Sequence, residues 1–263
     1  MSFKANLKNQ YHDLRNKALD SKLALKKEPV FIVGCGHSGT TLLLTMIGKH
    51  SSIHSVPYES NIFLPQHDFN ELKEFFYEVE KEAGEKTILE KTPRHVQCLS
   101  RLFKIFPNAK VIAMIRDGRD VVSSMKKRSI GINKAINRWV KDCQHISDHQ
   151  DKPGMHIIKY EDLVTTPEEV LTDIFSFLGL KAEIDTVVST DKKIEWGFSR
   201  TLDFENLSDD EKALREKHNK RRNEQINKPI YKDIGKWESA LESDEIDQVL
   251  KTGSDTLIKW RYL

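Results

Sequence analysis

Cysteine is scarce: three residues in 263, at positions 35, 98 and 143, too few and too widely spaced for a disulfide framework or a paired Cys-x-x-Cys metal site. They are expected to be reduced, with Cys35 and Cys98 packed inside. Long apolar runs are missing as well. Stretches such as Thr41 to Ile47 fall far short of the roughly 18 to 20 residues that a membrane-spanning helix needs. The opening MSFKANLKNQ lacks the basic-then-apolar order of a secretory signal, so the expected location is cytoplasmic. Neither charge is in excess: 42 Lys and Arg stand against 40 Asp and Glu, a net charge of +2, and nothing global argues for a nucleic-acid partner. Ten histidines invite a metal, but the close pairs, His50 with His54 and His145 with His149, have no His-Glu-x-x-His or cysteine companion. No metal is expected.

What is present, 38% apolar and 31% charged residues, describes a soluble globular chain whose length suits one domain with appendages. Residues 1–28 read as a charged, loosely amphipathic helix and a surface extension, with residues 29–263 as the domain. Val30 to Val33 is a β-branched and aromatic run stopped by Gly34, as expected of a buried parallel strand. A helix over 40–49 follows, then strands near 53–56, 87–90, 110–115 and 154–160. Between them the pattern predicts helices over 68–83, 94–106, 118–127, 132–149 and 167–178. Strands separated by long helices imply an α/β fold with a central parallel sheet covered on both faces. From 181 to 263 the strand signal stops, and a helical portion is expected to fold back and bury Trp196, Phe198, Trp237, Leu250, Ile258 and Trp260. Trp139 is expected in the core.

Two clusters carry chemistry. Gly34-Cys35-Gly36-His37-Ser38-Gly39-Thr40-Thr41 joins the first strand to its helix, where backbone N–H groups and the positive helix end hold anions. Its glycines share the frame of the Walker A loop, G-x-x-x-x-G-K-[ST], but Thr40 stands at the lysine position, so a triphosphate apparatus is lacking. Ile115-Arg116-Asp117-Gly118-Arg119-Asp120 through Ser123-Ser124 follows another strand, at the edge where open parallel sheets collect ligands. Arg116 is suited to a bidentate phosphate contact; its structural alternative is a salt bridge to Asp117 or Asp120.

Together these clusters resemble the sulfotransferases that use 3′-phosphoadenosine 5′-phosphosulfate (PAPS). The first is similar to their 5′-phosphosulfate loop and the second to their 3′-phosphate motif. The likeness continues through Glu90-Lys91-Thr92-Pro93-Arg94, Phe103 to Met125, Tyr160-Glu161-Asp162-Leu163, and Asn227-Lys228-Pro229 leading to Gly235-Lys236-Trp237. It spans about residues 30–240 and looks most like the protein-tyrosine sulfotransferase-like branch. The resemblance implies a P-loop-like domain that moves a sulfuryl group to a hydroxyl, less readily an amine, by in-line displacement, with PAPS as co-substrate and adenosine 3′,5′-bisphosphate (PAP) as product.

It also implies the site. Residues 35–41 (Cys35, Gly36, His37, Ser38, Gly39, Thr40 and Thr41) would hold the 5′-phosphosulfate. Arg116 and Ser124, helped by Arg128, would hold the 3′-phosphate, with Tyr160 and Lys228 as further donor contacts. Glu59 would be the general base, partly desolvated in Val56-Pro57-Tyr58-Glu59-Ser60, with His54 as rival. Lys91 and His37 would stabilise charge, His37 standing where many members carry Arg or Lys. Arg221 and Arg222 suit either a lid or a solvated face, and Glu161 and Asp162 are expected to brace backbone. The acceptor is expected to be a small molecule or glycan, with a peptide possible; oligomeric state is not readable. The alternatives are a P-loop-type nucleotide or small-molecule kinase and a non-catalytic nucleotide-binding protein.

Overall fold

The computed structural model describes residues 22–189, 197, 208–226 and 232–263, and among them five strands form a single sheet. β1 (Val30–Gly34), β2 (Ile53–Ser55), β3 (Thr87–Lys91), β4 (Lys110–Ile115) and β5 (Met155–Lys159) lie in the order β2-β3-β1-β4-β5. Every neighbouring pair is parallel, so each connection must cross a face of the sheet. α1 (Thr40–Ile47), α2 (Phe69–Ala83), α3 (Leu99–Ile105), α4 (Gly118–Lys126) and α5 (Ile132–Ser147) supply the crossovers.

Alternation along the strands splits the interior in two. Phe31, Val33, Val111, Ala113 and Ile115 face a cluster containing α2 and α3, where Phe31 meets Phe63 and Phe76 edge-on with centroids 5.4 and 6.0 Å away. Val30, Ile32, Ile112 and Met114 face α1 and α7 (Pro167–Leu178). Trp139, fully buried as expected, anchors a third cluster that fastens α4 and α5 to α11 (Ser243–Lys259). Gly118 and Gly253 make room for its ring, since a Cβ at either would stand 2.6 or 2.9 Å from it.

Several local expectations need correction. The helix over 94–106 is a 3-10 turn (Pro93–Cys98) followed by α3. α6 (Tyr160–Thr165) was not expected; Thr166, at φ −131 before Pro167, leaves the helical region as a pre-proline residue tends to, so the segment is too short to show periodicity. Residues 22–28 are not helical, and Leu23 is buried with its N–H donating to the Ile105 carbonyl at 3.1 Å; residues 1–21 lie outside the described ones. The C-terminal portion is helical, with α8 (Ile184–Val188), α9 (Asp209–Ile226), α10 (Trp237–Ala240) and α11. Trp237, Leu250 and Trp260 pack on the third cluster, but Ile258 is exposed: the buried face of α11 runs Val249, Gly253, Leu257, and position 258 falls off it. Trp196 and Phe198 lie outside the described residues. Cys35 and Cys143 are buried, Cys98 is half-buried, and all three are free thiols. No described helix is long and apolar enough to cross a membrane.

Candidate active site

The strand order itself assembles a site. β1 is flanked by β3 and β4, so the chain changes direction across it, and ligands of such sheets collect outside the carboxyl ends at that point. Across the edge stand Glu59 after β2, Lys91 ending β3, the glycine turn after β1, Arg116 after β4 and Tyr160 after β5.

The turn needs its glycines. Gly34 has φ +148 and lies on the Met114 carbonyl, while Gly39 has φ +90 and a Cβ there would overlap the Tyr160 ring. His37 also takes a positive φ, 75. Gly39 caps α1 without a side-chain bond, leaving first-turn N–H groups for a ligand. Ser38 Oγ is buried with no partner among the described residues, Thr40 is buried and Thr41 half-buried. Arg138 of α5, tied to Asp142 at 3.6 Å, lies 3.0 Å from where a Gly36 Cβ would be, a cation beside the turn that the motifs did not reveal. Burial, with Asp142 second, pushes the Cys35 thiol well up, so Cys35 offers backbone rather than a thiolate.

Arg116 ties the two clusters together. One guanidinium nitrogen donates to the His37 carbonyl at 3.1 Å, the other to the Asp233 carbonyl, and the plane lies 4.2 Å over the Tyr160 ring. The carboxylates of Asp120 and Asp233 stand at 3.7 and 3.6 Å, and the buried Nε has no hydrogen-bond partner among the described residues. His37 Nδ1 meets Ser124 Oγ at 2.9 Å, so the imidazole joins the Arg116 side of the site. Asp117 pairs with Arg119 instead, at 2.7 Å. Arg128 is exposed beyond the end of α4. Lys228 and the side chains of Arg221 and Arg222 lie outside the described residues.

On the other side of the turn, Lys91 Nζ donates to Glu59 Oε1 at 2.6 Å and to Thr41 Oγ1 at 3.4 Å. The Lys91 side chain is fully buried and that of Glu59 is 31% exposed. The carboxylate expected from sequence to be partly desolvated is thus paired with a buried ammonium. His54 is turned toward Glu82 of α2, at 4.0 Å.

Beneath this pair lies Glu90, which the sequence showed only as a motif letter. It is fully buried and bonded to Ser60, Thr92 and His95. Burial pushes its carboxyl up, but the His95 contact and the two hydroxyls outweigh that and hold it below the ordinary 4.5. A carboxyl held low in the folded chain contributes stability above its ordinary value and loses it as the pH falls through the folded one. Melting temperature is therefore expected to drop as pH falls below about 4.5, and Glu90→Gln, less stable at pH 7, to lose less over that same window. Parallel thermal scans across pH 3 to 7 check it.

The segment at 233–237 closes the edge. Asp120 accepts the Gly235 and Trp237 N–H groups at 2.9 and 3.0 Å. Glu161 braces backbone as expected, accepting the Asp117 N–H at 3.0 Å and the Tyr262 hydroxyl at 2.9 Å, whereas Asp162 is exposed. Among the described residues no three His, Cys, Asp or Glu side chains gather into a metal-holding group.

Comparison with known proteins agrees with this geometry. The model of the Sulfotransferase family matches residues 58–184, which carry Glu59, Lys91, Arg116, Ser124 and Tyr160. Protein-tyrosine sulfotransferase 2 of Gallus gallus is 27% identical over 206 residues, 63% of this chain and 54% of that protein; the chain thus spans about half the length of this relative. Two solved structures share the fold. One is the sulfotransferase domain from the Synechococcus PCC 7002 olefin synthase, with TM-score 0.61, 17% identity and coverage of 89% of this chain and 98% of that one. The other is mouse sulfotransferase SULT7A1 complexed with PAP, with TM-score 0.56, 15% identity and coverage of 92% and 87%. The family model, the sequence relative and the two folds are all those of sulfotransferases, and it is to this family that the chain is similar.

Proposed function

We propose that this chain transfers the sulfuryl group of PAPS to a hydroxyl acceptor by in-line displacement, with residues 29–263 acting as one domain. One observation carries the reading: the Arg116 bond to the His37 carbonyl joins the glycine turn to the second anion cluster, directly beside the Glu59–Lys91–Thr41 group. A single bisphosphorylated nucleotide can then engage both. The PAP complex of the mouse relative supports the same ligand class.

The residues divide the work. Backbone N–H groups of 36–41, with the hydroxyls of Ser38, Thr40 and Thr41, take the 5′-phosphosulfate, and the unpartnered Ser38 Oγ and Arg116 Nε are donors with capacity to spare. Arg116 and Ser124 take the 3′-phosphate, with Arg128, Tyr160 and Lys228 assigned as assistants. Glu59 removes the acceptor proton. As it does so its charge is neutralised, and Lys91 turns its attraction to the charge developing on the leaving oxygen. Sulfuryl transfer needs positioning and charge stabilisation of this kind, and no metal is assigned a part.

The acceptor follows from two sources, and both deserve an assay: the name of the Gallus gallus relative supplies tyrosine in a peptide, and the sequence reading supplies small-molecule or glycan hydroxyls. The three free thiols support a reducing, cytoplasmic setting. Titration calorimetry tests the nucleotide class, because a kinase built on this turn would favour ADP. PAP is expected to bind far more tightly than ADP; equal or reversed affinities overturn the reading. Labelled PAPS offered with tyrosyl peptides and a metabolite pool then identifies the species that gains sulfate.

A further inference from the structure

Glu90 sits between Leu89 and Lys91 in β3, and its partners Ser60, Thr92 and His95 are as fully buried as it is. A carboxylate accepts hydrogen bonds and never donates them, so the direction of each bond around it is settled. The hydroxyls of Ser60 and Thr92 donate to Oε1 at 2.8 and 2.6 Å, and His95 Nδ1 donates to Oε2 at 3.1 Å. With their hydrogens committed, the hydroxyl oxygens accept: Ser60 Oγ takes the Ile62 N–H and Thr92 Oγ1 takes the Asn61 N–H, each at 3.3 Å. His95 Nε2 accepts the Phe63 N–H at 3.3 Å, which places the ring hydrogen on Nδ1, toward Oε2. Oε1 also accepts the Ser60 N–H, at 3.3 Å.

Four consecutive N–H groups, those of residues 60–63, therefore end on a network hung from one carboxylate. Glu59 immediately precedes that run, and Lys91 immediately follows Glu90 on the strand. We propose that Glu90 is a positioning residue: by setting the polarity of this buried network it fixes the 60–63 backbone against the end of β3 and so holds Glu59 and Lys91 together. The inference deepens the sulfotransferase reading, on which its turnover arm rests.

Glutamine at position 90 is isosteric but puts an amide NH2 where one oxygen was. Turned one way, the NH2 faces the Ser60 and Thr92 donors; turned the other way, it faces the His95 Nδ1–H. Moving the imidazole proton to Nε2 relieves the second conflict only by ending the bond from Phe63. His95→Asn in the same chain offers an acceptor oxygen at the Nδ1 position and relieves the conflict there, though with Nε2 gone it too gives up the bond from Phe63.

The test uses the full chain with carboxyl-13C glutamate, in which the NMR signal absent from Glu59→Gln identifies Glu59. Glu90→Gln is expected to shift that signal at pH 7, and Glu90→Gln with His95→Asn to return it part of the way, the Phe63 bond being lost in the pair. Should Glu90→Gln not fold, Ser60→Ala and Thr92→Val each remove one bond and are expected to shift it less, in the same direction. PAP affinity should be unchanged throughout, while PAP release from PAPS with 4-nitrophenol as probe acceptor falls by about a hundredfold in Glu90→Gln, the scale of a misplaced catalytic group. The proposal is overturned if only the melting temperature falls and the Glu59 signal stays in place. If the wild type neither binds PAP nor releases it, the sulfotransferase reading fails, and the NMR arm decides the positioning by itself.

Discussion

Glu59→Gln is expected to leave PAP binding intact and to lower sulfuryl transfer by about 10²- to 10⁴-fold, the range that a positioned general base supplies. Glutamine can still accept the Lys91 Nζ bond, now 2.6 Å long, so the site keeps its shape and loses only its proton acceptor. Lys91→Met fails differently. It removes the buried ammonium that bonds both Glu59 and Thr41, and a loss of about 10²- to 10³-fold is the expected cost of one preorganised charge-stabilising donor. Single-turnover assays, with calorimetry for PAP, read both variants. Full transfer by Glu59→Gln would remove it as the base.

The parts of the site that sequence showed are those whose chemistry is local. A strand-to-helix turn that is to hold an anion must place glycines and hydroxyls within a few residues, so 34–41 could be proposed from sequence, as could Arg116 with Ser124 two turns on. The pairings between clusters were not. Glu59 and Lys91 lie 32 positions apart and meet because β2 and β3 are parallel neighbours. Spacing alone showed neither the network under Glu90, which links residues 60–63 to 90–95, nor the Asp233 contact to Arg116 across 117 positions. A signal for Glu90 did exist: a carboxylate directly after Ile88 and Leu89 in a strand of a covered parallel sheet must find buried donors. Helix phase explains the misplaced Ile258: Val249, Gly253 and Leu257 form the stripe of α11 against the third cluster, Leu250 packs at its border and Ile258 falls outside it, and only the fold shows which stripe faces Trp139.

Arg116 and Asp233 should respond to substitution with opposite signs. In this structure the Arg116 guanidinium is bonded to the Asp233 carbonyl and stands 3.6 Å from its carboxylate, while Lys236 pairs with the same carboxylate at 2.5 Å. Burial alone would raise the Asp233 carboxyl; Lys236 and Arg116 outweigh it and hold it low, so it is charged at neutral pH. A 3′-phosphate arriving at Arg116 meets that negative charge. Asp233→Asn keeps the size and the backbone bond but removes the repulsion, which near a half-exposed surface is worth about 1 kcal/mol, or about fivefold tighter PAP binding. The gain should shrink as salt is raised. Arg116→Ala removes a buried guanidinium from the same place, and a loss of about a hundredfold or more is expected. The fold should survive it, because the Gly235 and Trp237 N–H groups still satisfy Asp120. Calorimetry with PAP at two salt concentrations reads both variants. Weaker binding by Asp233→Asn would mean that the carboxylate holds Arg116 in place for the ligand, and the competition between aspartate and phosphate would be wrong.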